Sequence, residues 1–447
     1  MSFSGVYCEA HVHLRFAVLS SIDRALGTHP CAHRGAHYAV QVSPSAVFLD
    51  GQKNTFTISA LFHEATALKS HNPVLAGYGT TIFTVMSALA VEHDAINLGQ
   101  GFPDTDGPED IRQVAADSLT QGPNQYPPML GIPELRQATA AHNNKFYDLG
   151  IDWQTETLVS CGATEAIAAS IFGIIKPGDE AVMIEPLYDC YLPLLERAGG
   201  IPKLVRVEPP DWQLPFEKLE QAFSAKTKLL VLNTPMNPAA KVFALQELEF
   251  IAGLLERYDA YAICDEVYEH LVYDGREHIP LMTLPGMRDR CIRISSAGKT
   301  FSMTGWKVGY SVGASDLITA AAKAHQFLTF TTAPNLQKAV AYGLAKENSY
   351  FRNLGQDMQA KRDRLADGLA EIGFEVLKSE GTYFLTTDFR PLGFLDDDMQ
   401  FCRHLTTEAG VAAVPFSAFY QGADVKHYAR FCFCKRDEML DAALEKL

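Results

Sequence analysis

The sequence predicts an α/β protein: a large domain with a mostly parallel sheet flanked by helices, plus a smaller α+β domain formed by the N- and C-terminal segments. Three observations carry that expectation. Four short apolar runs, Leu158-Val159, Ala181 to Ile184, Leu229 to Leu232 and Ala260 to Ile263, each end in polar residues and are separated by helical text. Apolar strands alternating with helices are the pattern of a parallel sheet covered on both faces. The 447 residues, 47% hydrophobic and 20% charged, suffice for two domains and a large core. Beyond the runs, helical text from Asn335 to about Gly373 precedes strand-like runs around Thr382 to Thr386 and Arg430 to Phe433, and a helix from about Asp437.

The first 60 residues differ from the rest. They hold four Lys/Arg, three acids and five of the 14 histidines. His29, His33 and His37 are spaced like one face of a helix, but Pro30 and Gly35 break it and no carboxylate follows. The segment fits neither a secretory signal nor an organellar transit peptide well. The expected organisation is a poorly ordered extension over 1–66, an N-terminal arm and part of the small domain over 67–105, a large cofactor-binding domain over 106–340, and the rest of the small domain over 341–447.

Regular patterning begins at Ile82, with a helix to Val91, then the glycine-punctuated stretch Ile96 to Pro103, where backbone can approach a ligand. Pro108 to Leu119 and Pro133 to Phe146 read as amphipathic helices, each with proline near its first turn. A net charge of -15 argues against nucleic acid or an anionic membrane as the main partner, since both reward a basic surface. No apolar run approaches membrane-spanning length. The nine cysteines are scattered without CxxC pairs; Cys432 and Cys434 alternate along an apolar run and read as core packing, with the cytoplasm as the default compartment.

In parallel sheets ligands gather beyond the carboxyl ends of the strands. After the first run comes Gly162-Ala163-Thr164, a candidate phosphate cradle at a helix start. After the second comes Tyr188, which either stacks on a flat ring or fills the core. The third leads into Asn233 to Pro238, a rigid turn presenting two amides, and the fourth into Asp265-Glu266-Val267-Tyr268. A carboxylate there needs a cation, such as a protonated pyridine nitrogen, unless it caps a helix. Finally, Ser295 to Tyr310 sets Lys299 among small and hydroxylated residues, with Ser296 three before it and Lys307 eight after. That arrangement suits a lysine bound as an imine to an aldehyde cofactor, its amine made nucleophilic by desolvation or a neighbouring cation.

The ordered set Tyr126, Gly162-Ala163-Thr164, Tyr188, Asn237-Pro238, Asp265-x-x-Tyr268, Ser296-x-x-Lys299, Lys307 and Arg430 resembles the fold-type I (class I) pyridoxal-phosphate aminotransferases across Asn72 to Leu447. Asn97 to Asp104, Gly305-Trp306-Lys307-Val308-Gly309 and His427 to Phe433 look most like the kynurenine, glutamine and methionine aminotransferase group. The resemblance implies pyridoxal 5'-phosphate as cofactor and roles for individual residues. Lys299 would hold the cofactor and move the proton, and Asp265 would pair with the ring nitrogen. Tyr188 would stack on the ring, and Asn237 and Tyr268 would bind its phenolic oxygen. Ser296, Lys307 and the amides of Ala163 and Thr164 would hold the phosphate, with Tyr126 supplied by a second subunit of a homodimer. Arg430 would clamp the substrate's α-carboxylate, near which Gly101 would pass, and Phe83 and Phe330 would line the side-chain pocket, Phe330 from across the dimer.

The sequence departs from the family's pattern in three places. The common Asn-Pro-x-Gly turn reads Asn237-Pro238-Ala239-Ala240, which suggests a differently shaped loop. Thr331 stands where some kynurenine-type relatives carry histidine, and no second arginine marks a distal-carboxylate site. The expected reaction is amino-group transfer from an L-amino acid with a neutral, flexible or aromatic side chain, methionine first, to a 2-oxo acid. No metal is expected. Two other readings start from the same residues: β-elimination from cysteine conjugates, which pyruvate release without an acceptor would reveal, and a non-enzymatic aminotransferase-like regulator. The second would need a DNA-binding module in front, and residues 1 to 60 show no basic helix pair.

Overall fold

The computed structural model describes residues 69–422 and 424–447; the expected extension over 1–66 and its histidines lie outside them. Helix α1 (Ile82–Glu92) starts where the Thr81 hydroxyl accepts from the Thr84 amide at 3.3 Å. After β1 (Ile96–Asn97) come the two proline-led helices, α2 (Glu109–Gln121) and α3 (Pro133–Tyr147). The next segment alternates strand and helix: β2 (Thr157–Ser160), α4 (Ala163–Ile174), β3 (Glu180–Glu185), α5 (Tyr191–Arg197), β4 (Ile201–Arg206), β5 (Thr227–Asn233), α6 (Leu245–Arg257) and β6 (Tyr261–Asp265). Strands β7 (Cys291–Ser296) and β8 (Gly309–Gly313) and helix α7 (Ser315–Leu328) complete it.

These strands form one seven-stranded sheet in the order β2-β8-β7-β6-β5-β3-β4. Only β8 is reversed, antiparallel to both β2 and β7. The expected mostly parallel sheet is therefore present, and the apolar runs explain it. On β5, Leu230 and Leu232 enter one core with Val182, Ile184, Ala262 and Cys264, while Leu229 and Val231 enter the opposite core with Ala181, Met183 and Ile263. Burial on alternate faces of each strand requires an unbroken apolar run. Each such aliphatic side chain contributes about 1.5–3 kcal/mol when fully buried. The sequence did not mark β4, β7 or β8. Edge strand β4 leaves Ile201 exposed, β7 carries Arg293 at its centre, and β8 is bounded by glycines.

The helical stretch expected from Asn335 is two helices, α8 (Pro334–Leu344) and α9 (Asn348–Ile372), the latter ending at left-handed Gly373. Strands β9 (Glu375–Val376), β10 (Phe384–Asp388), β12 (Val414–Pro415) and β13 (Tyr428–Cys432) form an antiparallel sheet in the order β12-β13-β10-β9. Strand β11 (Val411–Ala412) pairs in parallel with β1, which joins the N-terminal segment to the C-terminal one. Met86 and Leu98 accordingly share a core with Phe384, Phe431 and, from the last helix α10 (Asp437–Lys446), Leu440. Cys432 and Cys434 are both buried in this core, their sulfurs 3.2 Å apart. Among the described residues no helix is long and apolar enough to cross a membrane.

Candidate active site

Strands β2, β3, β5, β6 and β7 run in the same direction, and the segments at their carboxyl ends border one cavity of about 400 Å³. Of the 14 site residues expected from sequence, 12 line it; Tyr126 and Phe330 do not. At the end of β2, Gly162 (φ 83°) caps α4 and brings Ala163 and Thr164 to the cavity wall. A Cβ on Gly309 would lie 2.6 Å from the Gly162 carbonyl carbon and 2.8 Å from the Ala163 amide nitrogen, and one on Gly162 would lie 3.2 Å from Lys307 Nζ. Missing side chains thus let a helix N-terminus and a lysine amine converge beside Ser296. Oriented amides, a cation and a hydroxyl together fit a phosphate group.

Lys299 lies in the helical turn Ala297–Thr300 that follows β7. Its amine donates to the Tyr383 hydroxyl at 2.8 Å, which in turn donates to the Gly101 carbonyl at 2.8 Å. Burial lowers the pKa of this amine, and Lys307 adds to the effect in the same direction as a lesser cause. Desolvation, more than the neighbouring cation, is therefore what depresses it. Asp265, 4% exposed, ends β6. Turns follow it, so it caps no helix. Burial pushes its carboxyl up to about 6, against the hydrogen bond from Tyr191, the Val267 amide and the charge of Lys299. Half-buried Tyr188 and buried Tyr268 stand around the same space, Tyr268 edge-on to Tyr383 at 5.0 Å.

Arg430, on β13, is buried beneath three aromatic rings: Phe384, Phe419 and Phe83 have centroids 3.9, 5.0 and 5.2 Å from its guanidinium carbon. It donates to Asn237 Oδ1 at 3.0 Å and to the Gly99 carbonyl at 2.8 Å, while its Nε has no partner. No carboxylate pairs with it among the described residues. Burial lowers its pKa to about 10, so it stays charged at neutral pH. A buried cation with an unused donor is suited to a small carboxylate. The turn that lacks the family's glycine keeps a left-handed residue all the same: Ala240 has φ 54°, and its carbonyl accepts from the Glu380 and Gly381 amides at 2.8 and 3.1 Å.

Tyr126 and Phe330 stand on the surface, 85% and 41% exposed, with their rings edge-on at 5.6 Å. Sequence reasoning missed Tyr383 and Tyr191. Tyr383 gave no signal, because its partner Lys299 is 84 residues away. Tyr191 lies three residues after Tyr188, where one helical turn can bring both to the same site. Among the described residues, one group brings metal-ligating atoms within 4.8 Å of one another: His142, Glu269 and His270. The Arg293 guanidinium already occupies Glu269 there.

A desolvated lysine, a buried carboxylate, an anion cradle and an arginine with a free edge are together suited to a small carboxylate-bearing molecule and to lysine chemistry. Residues 93–447 match the family described as aminotransferase class I and II, and the chain belongs to that family. It is a transaminase, moving an amino group between an amino acid and a 2-oxo acid. The solved structure of N-succinyldiaminopimelate aminotransferase from Mycobacterium tuberculosis is similar at 45% identity and TM-score 0.82, covering 84% of this chain and 99% of that one. Methionine aminotransferase of Escherichia coli is 40% identical over 83% of this chain and 95% of its own length. Kynurenine–oxoglutarate transaminase 3 of Mus musculus is 37% identical over 85% of this chain and 90% of its own.

Proposed function

We propose that the chain is a pyridoxal-phosphate-dependent aminotransferase whose donors carry neutral, flexible or aromatic side chains, methionine first. The carrying observation is the charge distribution of the cavity: its described lining cations are Lys299, Lys307 and Arg430, with no fourth for a distal carboxylate. Ser296, Lys307, Ala163 and Thr164 would hold the phosphate. Tyr188 would cover the ring, Asp265 would face its nitrogen, and Asn237 and Tyr268 would bind its phenolic oxygen. When bound, pyridoxal phosphate supplies an aldehyde for the lysine or substrate amine and a protonated ring that accepts the electron pair left when a Cα–H bond breaks. Arg430 binds and orients the α-carboxylate beside Gly101. Lys299, its pKa lowered by burial, would take the Cα proton and deliver it to C4' of the cofactor, and the aromatic walls Phe83 and Phe384 exclude water.

A homodimer is part of the reading. Tyr126, Phe330 and Phe327, the last also 85% exposed, are large rings on the surface, an arrangement that favours a protein partner. The described cysteines are free thiols, in keeping with a reducing compartment such as the cytoplasm. The test is an absorbance spectrum of the protein, then addition of methionine without acceptor. A visible band from lysine-bound cofactor that converts to the amine form supports the reading, and no band after added pyridoxal phosphate refutes it. Pyruvate released from cysteine conjugates would add β-lyase activity. The 45% identity to the N-succinyldiaminopimelate enzyme favours a second donor class. Faster turnover of an N-succinylated dicarboxylic amino acid than of methionine would select it.

A further inference from the structure

The main chain and the carboxylate of Asp265 are held by different groups. Its carbonyl accepts from the Thr234 amide at 3.1 Å and from Asn233 Nδ2 at 2.9 Å. Its Oδ2 accepts the hydroxyl of Tyr191, the first residue of α5, which is 2% exposed. Its Oδ1 has only the Val267 amide at 3.5 Å, a weak contact. The strand end would therefore stay in place without Tyr191, and what Tyr191 decides is the carboxylate.

We propose that Tyr191 is a positioning residue for amino transfer: its hydroxyl occupies one oxygen of Asp265 and leaves the other for the cofactor's ring nitrogen. This rests on the pyridoxal-phosphate reading above. Burial, and then the charge of Asp265, keep the Tyr191 hydroxyl well above its ordinary pKa, so it remains a donor. After burial itself, Tyr191 is the largest influence on Asp265 and the first to favour its charged form, ahead of the Val267 amide and Lys299; Glu266 opposes them. Tyr188, Cys190 and Tyr268 also feel the Asp265 charge. The Tyr191 ring packs 5.8 Å from that of Tyr188, so one residue braces both the wall expected to cover the cofactor ring and the carboxylate expected to face it.

The test compares the full-length wild type with Tyr191→Phe, which keeps the ring and removes only the hydroxyl. Both are loaded with pyridoxal phosphate isotopically labelled at the ring nitrogen. The expected result is a variant with unchanged circular dichroism and about tenfold weaker cofactor binding. Its ring-nitrogen resonance should shift toward the unprotonated form, with the titration midpoint lower by about one unit. In an Asp265→Asn background the same substitution should change neither readout. A ring-nitrogen signal identical in wild type and variant overturns the proposal, as does an equal loss of affinity in the Asp265→Asn background, which would mark Tyr191 as core packing. A wild type that binds no cofactor overturns the pyridoxal-phosphate reading itself, and this inference with it.

Discussion

Arg293 and Arg430 are each 1% exposed and each sits on a strand, yet their surroundings are opposite. Every nitrogen of Arg293 is used: it bonds Glu266, Glu269 and Asn143 Oδ1, and its guanidinium lies 4.5 Å from the Tyr147 ring. Around it His278 meets Glu266 at 2.8 Å, and His142 and His270 share a 2.9 Å contact. Burial pulls those two histidines down to about 4 and about 3, so both are neutral at pH 7. Burial pushes Glu269 up, but the Arg293 guanidinium, by its charge and its hydrogen bond, leads the opposing causes, and the carboxyl lies well below its ordinary range. Arg430 has two neutral acceptors, three rings and one nitrogen with no partner. A buried charge closed by its partners holds the fold, whereas one left open stores a desolvation cost that a ligand can relieve.

The comparison predicts where each arginine fails. Arg293→Met should cost about 3–5 kcal/mol of stability, because Glu266 and Glu269 lose their buried partner. Chemical denaturation measures this, and a loss below about 1 kcal/mol would break the contrast. Arg430→Met should leave stability within about 1 kcal/mol, since its burial is only partly compensated, while transamination disappears. Arg430→Lys should lower kcat/KM on the order of a hundredfold for every amino acid, because an ammonium cannot form the fork. A loss confined to one side-chain class would count against the clamp.

A smaller effect concerns Asp265. Its folded value of about 6 lies above the ordinary 3.8, so the stability it contributes is fully present below pH 3.8 and lost as the pH rises through about 6. In cofactor-free protein, Asp265→Asn should therefore raise stability at pH 8 by about 1–3 kcal/mol, with almost no gain at about pH 3, while the same variant loaded with cofactor loses turnover. A gain equal at both pH values would show that charge burial is not the cause. The smallest effect is expected at Ala240. Glycine there relieves left-handed strain but loosens the unfolded chain, for a net gain of about 0.5 kcal/mol, read as a melting point raised by a degree or two.

Much of the site was legible because its residues occupy fixed places after apolar runs. Asp265 could be picked out in this way, Lys299 stood out by its small and hydroxylated neighbours, and the runs themselves set the sheet. Strand β7 was not legible, because an arginine at its centre reads as an interruption until Glu266 and Glu269 are seen closing over it. Tyr126 and Phe330 were legible as residues, but in a single chain their rings stand on the surface.

By itself the sequence determined the alternation of buried strands and helices, the lysine, carboxylate and arginine of the site, and their chain order, because each follows from local patterning or a short motif. The tertiary structure alone decided which hydroxyls reach Lys299 and Asp265, how completely each arginine is paired, and how far burial shifts each pKa. Those depend on contacts spanning tens to hundreds of residues, such as Gly99 with Arg430, and no periodicity in the chain encodes such a distance.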